Sequence, residues 1–216
     1  MSTSTLIDEF LELCHSFHRR GFVSGTGGNV SVRCGEQFLI TPSGVSLRSL
    51  RKDDLVLLSQ DGTFFCKQAH LPSKEWRMHL ECYQRSDVNA VVHVHSTYAT
   101  AVSCLKELDP GCAMPVYTPG YGLRVGALKA VAYERPGSEE LARLAGQVIR
   151  TSNSVIMENH GILAVGASLT QAADLIEEIE ENAHLMLLLG QAGNALTEEN
   201  QADLSGQIQA DGGGAQ

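Results

Sequence analysis

Leu6, Phe10, Leu13 and Phe17 recur at helical spacing over residues 5–20, and Gly21 stops the run, so the chain opens with an amphipathic helix. The period then changes. GTGGNVSVR (25–33) passes from a glycine-rich loop into a strand, and FLITPSG (38–44) reads as a second strand ending in a Pro/Gly turn. DLVLLS (54–59) and TFFC (63–66) flank Asp61-Gly62, a hairpin pair. Pro72-Ser73 opens a helix over 73–85 with Ser73 as N-cap. The β-branched run VNAVVHV (88–94) predicts a buried strand, and Ser96 is placed to cap a helix over 97–108. Residues 108–137 are rich in Pro, Gly and Tyr, with short apolar pieces such as LKAVAY (128–133). A helix over 138–150 precedes two strand-like runs in SVIMENHGILAV (154–165), which meet at Asn159-His160-Gly161. Ser168 and Gln171 form a capping box for a last long helix that Gly190 ends. Residues 193–216 are polar, glycine-rich and weakly periodic, which predicts a mobile tail with one short helix. Helices and strands alternate throughout without a repeat or clear linker, so residues 1–192 are expected to form one α/β domain.

Composition narrows the function classes. A chain of 216 residues can bury one sizeable core, and 43% apolar with 19% charged residues is ordinary for a globular protein. The net charge of −9 argues against a nucleic-acid surface and gives an anionic substrate no long-range attraction. A phosphate must then be held by local donors or a metal. No apolar run approaches membrane-spanning length and MSTSTLIDEF has no signal-peptide pattern, so no membrane partner is expected. Cysteines 14, 34, 66, 82, 104 and 112 form no CxxC pair and read as small hydrophobes in a reduced cytoplasm.

The chemistry concentrates in a few positions. His93 and His95 stand two apart on a strand, so their side chains face one way and can chelate one divalent ion; a strand end with one histidine in a polar contact is the plain alternative. His160 lies in a tight turn, where a histidine serves either as a hydrogen-bonding residue or as a ligand. Glu75, in the expected first helical turn, either meets the helix dipole or supplies a carboxylate ligand. Together, three His and one Glu make an N3O set suited to zinc or another borderline divalent ion. GTGGN, TPSG and the Ser73 helix start each offer backbone donors to an anion, although glycine-rich turns commonly serve geometry alone. No GxSxG, Walker or dinucleotide fingerprint is present. His15, His18, His70, His79 and His184 read as structural or exposed.

GTGGNVS (25–31), TPSG (41–44), PSKEW (72–76), HVH (93–95) and NHG (159–161) occur in the order found in the class II aldolase and adducin-head family, which the chain resembles over residues 4–192. That resemblance implies a three-layer α/β/α fold with a central, mostly antiparallel sheet, and a homotetramer with active sites at subunit junctions. It implies a metal site of Glu75, His93, His95 and His160, holding Zn2+ or alternatively Mn2+, and substrate contacts from Gly28, Asn29, Thr41, Gly44 and Ser73. PSKE (72–75), HSTYATAVSCLKELD (95–109), the TP…R…G stretch (118–126), YERPG (133–137) and the helix end at 177–190 look closest to the 3-oxo-tetronate 4-phosphate decarboxylase branch. Lys74 departs from the serine usual in the sugar-phosphate aldolases; it supplies one more cation for a substrate with one more anion, or is simply an exposed helix-start residue. Arg124 is a candidate for the second anion. The activity so implied is release of CO2 from a four-carbon β-keto acid phosphate through a metal-stabilised enediolate, with Glu75 as general acid. Alternatives are a class II aldolase or 4-epimerase acting on a sugar phosphate, and an adducin-like binding module without chemistry.

Overall fold

The computed structural model describes residues 3–204; the expectation of a mobile tail extends to residues 205–216, which lie outside the described residues. Eight strands make one sheet: β1 (Asn29–Cys34), β2 (Gln37–Ile40), β3 (Val56–Leu58), β4 (Phe64–Cys66), β5 (Ala90–Val94), β6 (Ala130–Val131), β7 (Ser154–Met157) and β8 (Gly161–Gly166). Their order is β4-β3-β2-β1-β5-β8-β7-β6, antiparallel throughout except for β6 against β7. The central strands β5 and β8 are buried almost along their length, so both sheet faces must be covered.

Six α-helices cover them: α1 (Thr3–Arg19), α2 (Trp76–Cys82), α3 (Thr97–Ser103), α4 (Pro119–Arg124), α5 (Glu139–Ile149) and α6 (Leu169–Leu189). One core joins Phe10, Phe17, Val30, Val92, Val94, Val102 and Ile176, putting α1, α3 and α6 on one face. The other joins Phe38, Val91, Met78, Leu141, Ile149 and Leu163, putting α2 and α5 opposite. Successive residues of β5 alternate between these cores, as the two-residue strand period requires. The expected three-layer α/β/α architecture is therefore the observed one. Among the described residues, no helix is long and apolar enough to cross a membrane.

Three local expectations are corrected. Helix α2 begins at Trp76, not Ser73: Glu75 is its N-cap residue, while the Ser73 hydroxyl accepts the Glu75 N–H at 3.3 Å in a short turn. Ser96 does not cap α3 with its side chain; the Glu180 carboxylate of α6 accepts the Tyr98 and Ala99 N–H groups at 2.9 and 2.8 Å. Helix α3 stops at Ser103 rather than running to 108, because the Ser103 carbonyl accepts the Asn159 N–H at 3.0 Å instead of continuing the helix. Beyond Gly193, the Leu196 N–H donates to the Val116 carbonyl at 2.8 Å and residues 198–204 form a short helix. Cys14 and Cys82 are buried as expected of small hydrophobes, whereas Cys104 and Cys112 are exposed.

Candidate metal centre

Strand β5 carries His93 into the sheet centre and ends at Val94, leaving His95 on the first residue beyond. The β7–β8 hairpin brings His160 to the same end. Asn159 turns the chain there with a φ of 51°, a left-handed conformation that asparagine tolerates, and Gly161 follows. A Cβ on Gly161 would lie 2.4 Å from the Val94 carbonyl oxygen, so only glycine lets this turn pack on the end of β5. Two loops complete the site. An isolated bridge joins Pro42 to Pro72, the Ser73 N–H donates to the Thr41 carbonyl at 3.0 Å, and the chain then delivers Glu75 beneath the histidines.

The donor atoms of Glu75, His93, His95 and His160 all lie within 4.8 Å of one another. Glu75 Oε2 is 3.2 Å from His93 Nε2, Oε1 is 3.2 Å from His160 Nε2, and His95 Nε2 is 2.9 Å from His93 Nε2. His93 is fully buried, and the side chains of Glu75 and His160 are 9% and 7% exposed. His93 Nδ1 donates to the Ile162 carbonyl at 2.8 Å, which leaves Nε2 as the ligating nitrogen.

Electrostatics fits an ion. Burial pushes the Glu75 carboxyl up, but His93 and His160, each 3.2 Å from one of its oxygens, outweigh it and hold the group well below the usual carboxylate range. Burial, with His93 and His160 beside it, lowers His95 to about 3. Burial also opposes charge on His93, yet Glu75 leaves it raised. His93 Nε2 and His95 Nε2 face each other at 2.9 Å beside a buried Glu75 Oε1 that has no hydrogen bond, so potential ligand atoms converge on one point. A borderline divalent ion satisfies all of them, so the residues fit the group.

Beside the cluster lies a groove of about 330 Å³ lined by Gly28, Asn29, Gly44, Ser73, Lys74, Glu75, His95 and His160, with Gly27, Ser43 and Pro136 among the remaining wall. The structure thus brings together the four expected ligands and five of the expected substrate contacts. Lys74 stands exposed on the rim. Two expected contacts are elsewhere. Thr41 is buried behind the wall, its hydroxyl accepting the Val30 N–H at 3.2 Å. Arg124 ends α4 in an ion pair with Glu178 at 2.8 Å, outside the groove of its own chain.

Asn29 lines the groove, but its amide is engaged inward: its Nδ2 donates to Glu75 Oε2 at 2.8 Å, and its Oδ1 meets His79 Nε2 at 2.5 Å. His79, fully buried, continues through Nδ1 to Ser31 Oγ and on to the Tyr83 hydroxyl, both steps 2.7 Å. Nothing in the local pattern around His79 announces this role; its helical position four residues after Glu75 was the only available signal.

A mostly antiparallel sheet between two helical layers, carrying a three-histidine, one-carboxylate centre at one strand end beside glycine-bearing loops, defines a class of metal-site proteins. Residues 8–187 match the class II aldolase and adducin N-terminal domain, and the chain belongs to that family. It is 40% identical over 197 residues to the 3-oxo-tetronate 4-phosphate decarboxylase of Haemophilus influenzae, covering 90% of this chain and 93% of the relative. An L-fuculose phosphate aldolase of Methanococcus maripaludis is 37% identical over 182 residues, covering 83% and 95%. The crystal structure of YgbL from Escherichia coli superposes with a TM-score of 0.88 at 33% identity, over 93% of this chain and 97% of that one.

Proposed function

We propose that the chain is a metal-dependent carboxy-lyase that converts 3-oxo-tetronate 4-phosphate to dihydroxyacetone phosphate and CO2. The observation that carries this reading is the convergence of Glu75, His93, His95 and His160 at a groove whose rim presents Lys74. The 40% identity to a decarboxylase of that name supports the substrate.

His93, His95 and His160, with Glu75, would hold the ion, zinc or alternatively manganese. Once bound, such an ion supplies a Lewis acid for negative charge that develops on a carbonyl oxygen. The rest falls to the chain. The Gly28 and Gly44 N–H groups, with the Ser73 hydroxyl, hold the phosphate at one end of the groove, and Lys74 balances the further anion. When the bond between C1 and C2 breaks, its electron pair stays with the C2–C3 unit, and C2 must then gain one proton. Glu75 is the carboxylate lining the groove. Paired with His93 and His160 it stays deprotonated; released from them, its burial raises its pKa, so that it takes a proton from water in the groove and passes it to C2.

Exposed Leu187, Leu188 and Leu189 at the end of α6 support assembly into a homotetramer, and six unpaired cysteines support a reducing, cytoplasmic setting. The 37% identity to an L-fuculose phosphate aldolase favours one second reading, aldol cleavage of a sugar phosphate. The deciding experiment measures CO2 and dihydroxyacetone phosphate from 3-oxo-tetronate 4-phosphate with and without chelator. Chelator-sensitive release of both is expected. No release from that substrate, with cleavage of fuculose or rhamnulose phosphate, would replace the decarboxylase by the aldolase.

A further inference from the structure

A chain of buried side chains runs inward from the metal centre: Glu75, Asn29, His79, Ser31 and Tyr83. Each member is less than 9% exposed, so water does not compete for these hydrogen bonds. Its polarity follows from the end groups. A carboxylate only accepts, so Asn29 must turn its NH2 to Glu75 and its carbonyl Oδ1 to His79. His79 must then donate from Nε2 and accept at Nδ1. Ser31 donates to that nitrogen, and its oxygen takes the proton of the Tyr83 hydroxyl. Every donor meets an acceptor in one direction only, and a reversed imidazole would leave two acceptors facing each other at Asn29.

We propose that His79 is a positioning residue: as the neutral Nε2–H tautomer it holds the Asn29 amide in the one orientation that pins Glu75 Oε2, leaving Oε1 without a hydrogen bond and available to an ion. Burial keeps His79 neutral, lowering it to about 3. The two ends of Glu75 are correspondingly unlike. Oε2 accepts from Asn29 at 2.8 Å, whereas Oε1 has no hydrogen bond and faces only the His160 Nε2 at 3.2 Å, itself one of the expected ligands. The His79 side chain neither lines the groove nor hydrogen-bonds to a ligand; it acts through Asn29. The inference rests on the metal reading of the centre and is independent of which phosphorylated substrate is turned over.

Two substitutions separate positioning from packing. The amide of His79→Gln reaches the position of Nε2 and can still donate to Asn29, losing Ser31. The shorter amide of His79→Asn sits near Nδ1, keeps Ser31 and loses Asn29. Each removes one buried hydrogen bond, so urea midpoints should fall alike. Zinc affinity, read by competition with a chromophoric chelator, should fall about tenfold or more in H79N and stay within about threefold of wild type in H79Q. Equal zinc affinities in the two variants would overturn the positioning role. Failure of the wild-type protein to take up zinc or manganese overturns the metal centre and this role together, whereas a silent decarboxylase assay leaves it standing. If H79N does not fold, nitrogen NMR of the native protein decides: an imidazole of His79 protonated at Nε2 alone supports the assignment, and a proton at Nδ1 refutes it.

Discussion

Gly161→Ala tests how the centre is assembled. The alanine Cβ would sit 2.4 Å from the Val94 carbonyl oxygen and 3.0 Å from His95 Cδ2, at a φ of 157°. Cβ contacts below 3.0 Å essentially do not occur, so β5 and the β7–β8 turn must separate by at least about 0.6 Å. Neither side can give easily, since the clash is with backbone and β5 pairs with β8 from Ala90↔Gly166 to Val94↔Ile162. Overpacking of this kind costs about 1–3 kcal/mol, and the unfavourable φ adds about 1–3 kcal/mol, a large part of a marginal total. His160 precedes the substituted residue and His95 follows Val94, so the same movement pulls ligands apart on both sides. Metal-ligand distances tolerate only about 0.2 Å, and zinc affinity should fall tenfold or more. Gly35→Ala is the control: Gly35 also has a positive φ, 64°, but a Cβ there meets nothing within 4 Å, so only the backbone cost of about 1–3 kcal/mol remains. Urea unfolding and chelator competition on both variants provide the measurement. A Gly161→Ala protein no less stable than the Gly35→Ala control, with wild-type zinc affinity, would show that close approach of the turn does not build the site.

Three further outcomes follow from other parts of the molecule. Lys74→Ala should raise KM for 3-oxo-tetronate 4-phosphate about tenfold while kcat changes less than threefold; unchanged steady-state constants would make Lys74 a bystander on the rim. Glu180→Gln, which leaves one of the Tyr98 and Ala99 N–H groups facing an amide NH2, should cost about 1.5–3 kcal/mol by urea unfolding, and a loss under about 0.5 kcal/mol would deny it the capping role. His79, lowered from 6.5 to about 3 by burial, takes its proton in the unfolded chain first, so it destabilises the ion-free fold progressively as pH falls from 6.5 towards 3. Between pH 7 and pH 4 that amounts to roughly 3 kcal/mol, so His79→Gln should gain about that much relative to wild type over the interval; a pH-independent difference between the two proteins would mean that His79 is not buried neutral.

How far the site could be read in advance depends on the range over which each feature is determined. The HxH pair was legible because strand period two is local, and the β-branched run around it places both imidazoles on one face. Strand and helix identities were legible for the same reason outside the Pro- and Gly-rich stretch that holds α4, as was the Ser168 cap, whose hydroxyl accepts the Gln171 N–H at 3.2 Å. Glu75 as a ligand needed the family resemblance, since a carboxylate at a helix start has an ordinary explanation in the helix dipole. The errors cluster where the partner is distant in the chain. Ser96 looked like the cap of α3 because its position is right, but the cap is Glu180, more than eighty residues on, and Asn159 ends the same helix by taking its last carbonyl. Thr41, expected at the substrate by the family resemblance, stands behind the wall, and Asn29, which does line the groove, spends both ends of its amide on Glu75 and His79. The Asn29 contacts span 46 and 50 positions, and no periodicity encodes a pairing at that separation. Their consequence is functional as well as structural. The residues that present a ligand also cross-link helix α2 to strand β1 through buried hydrogen bonds, so the orientation of the Glu75 carboxylate is set by the packing of the sheet against α2 rather than by the loop that carries it.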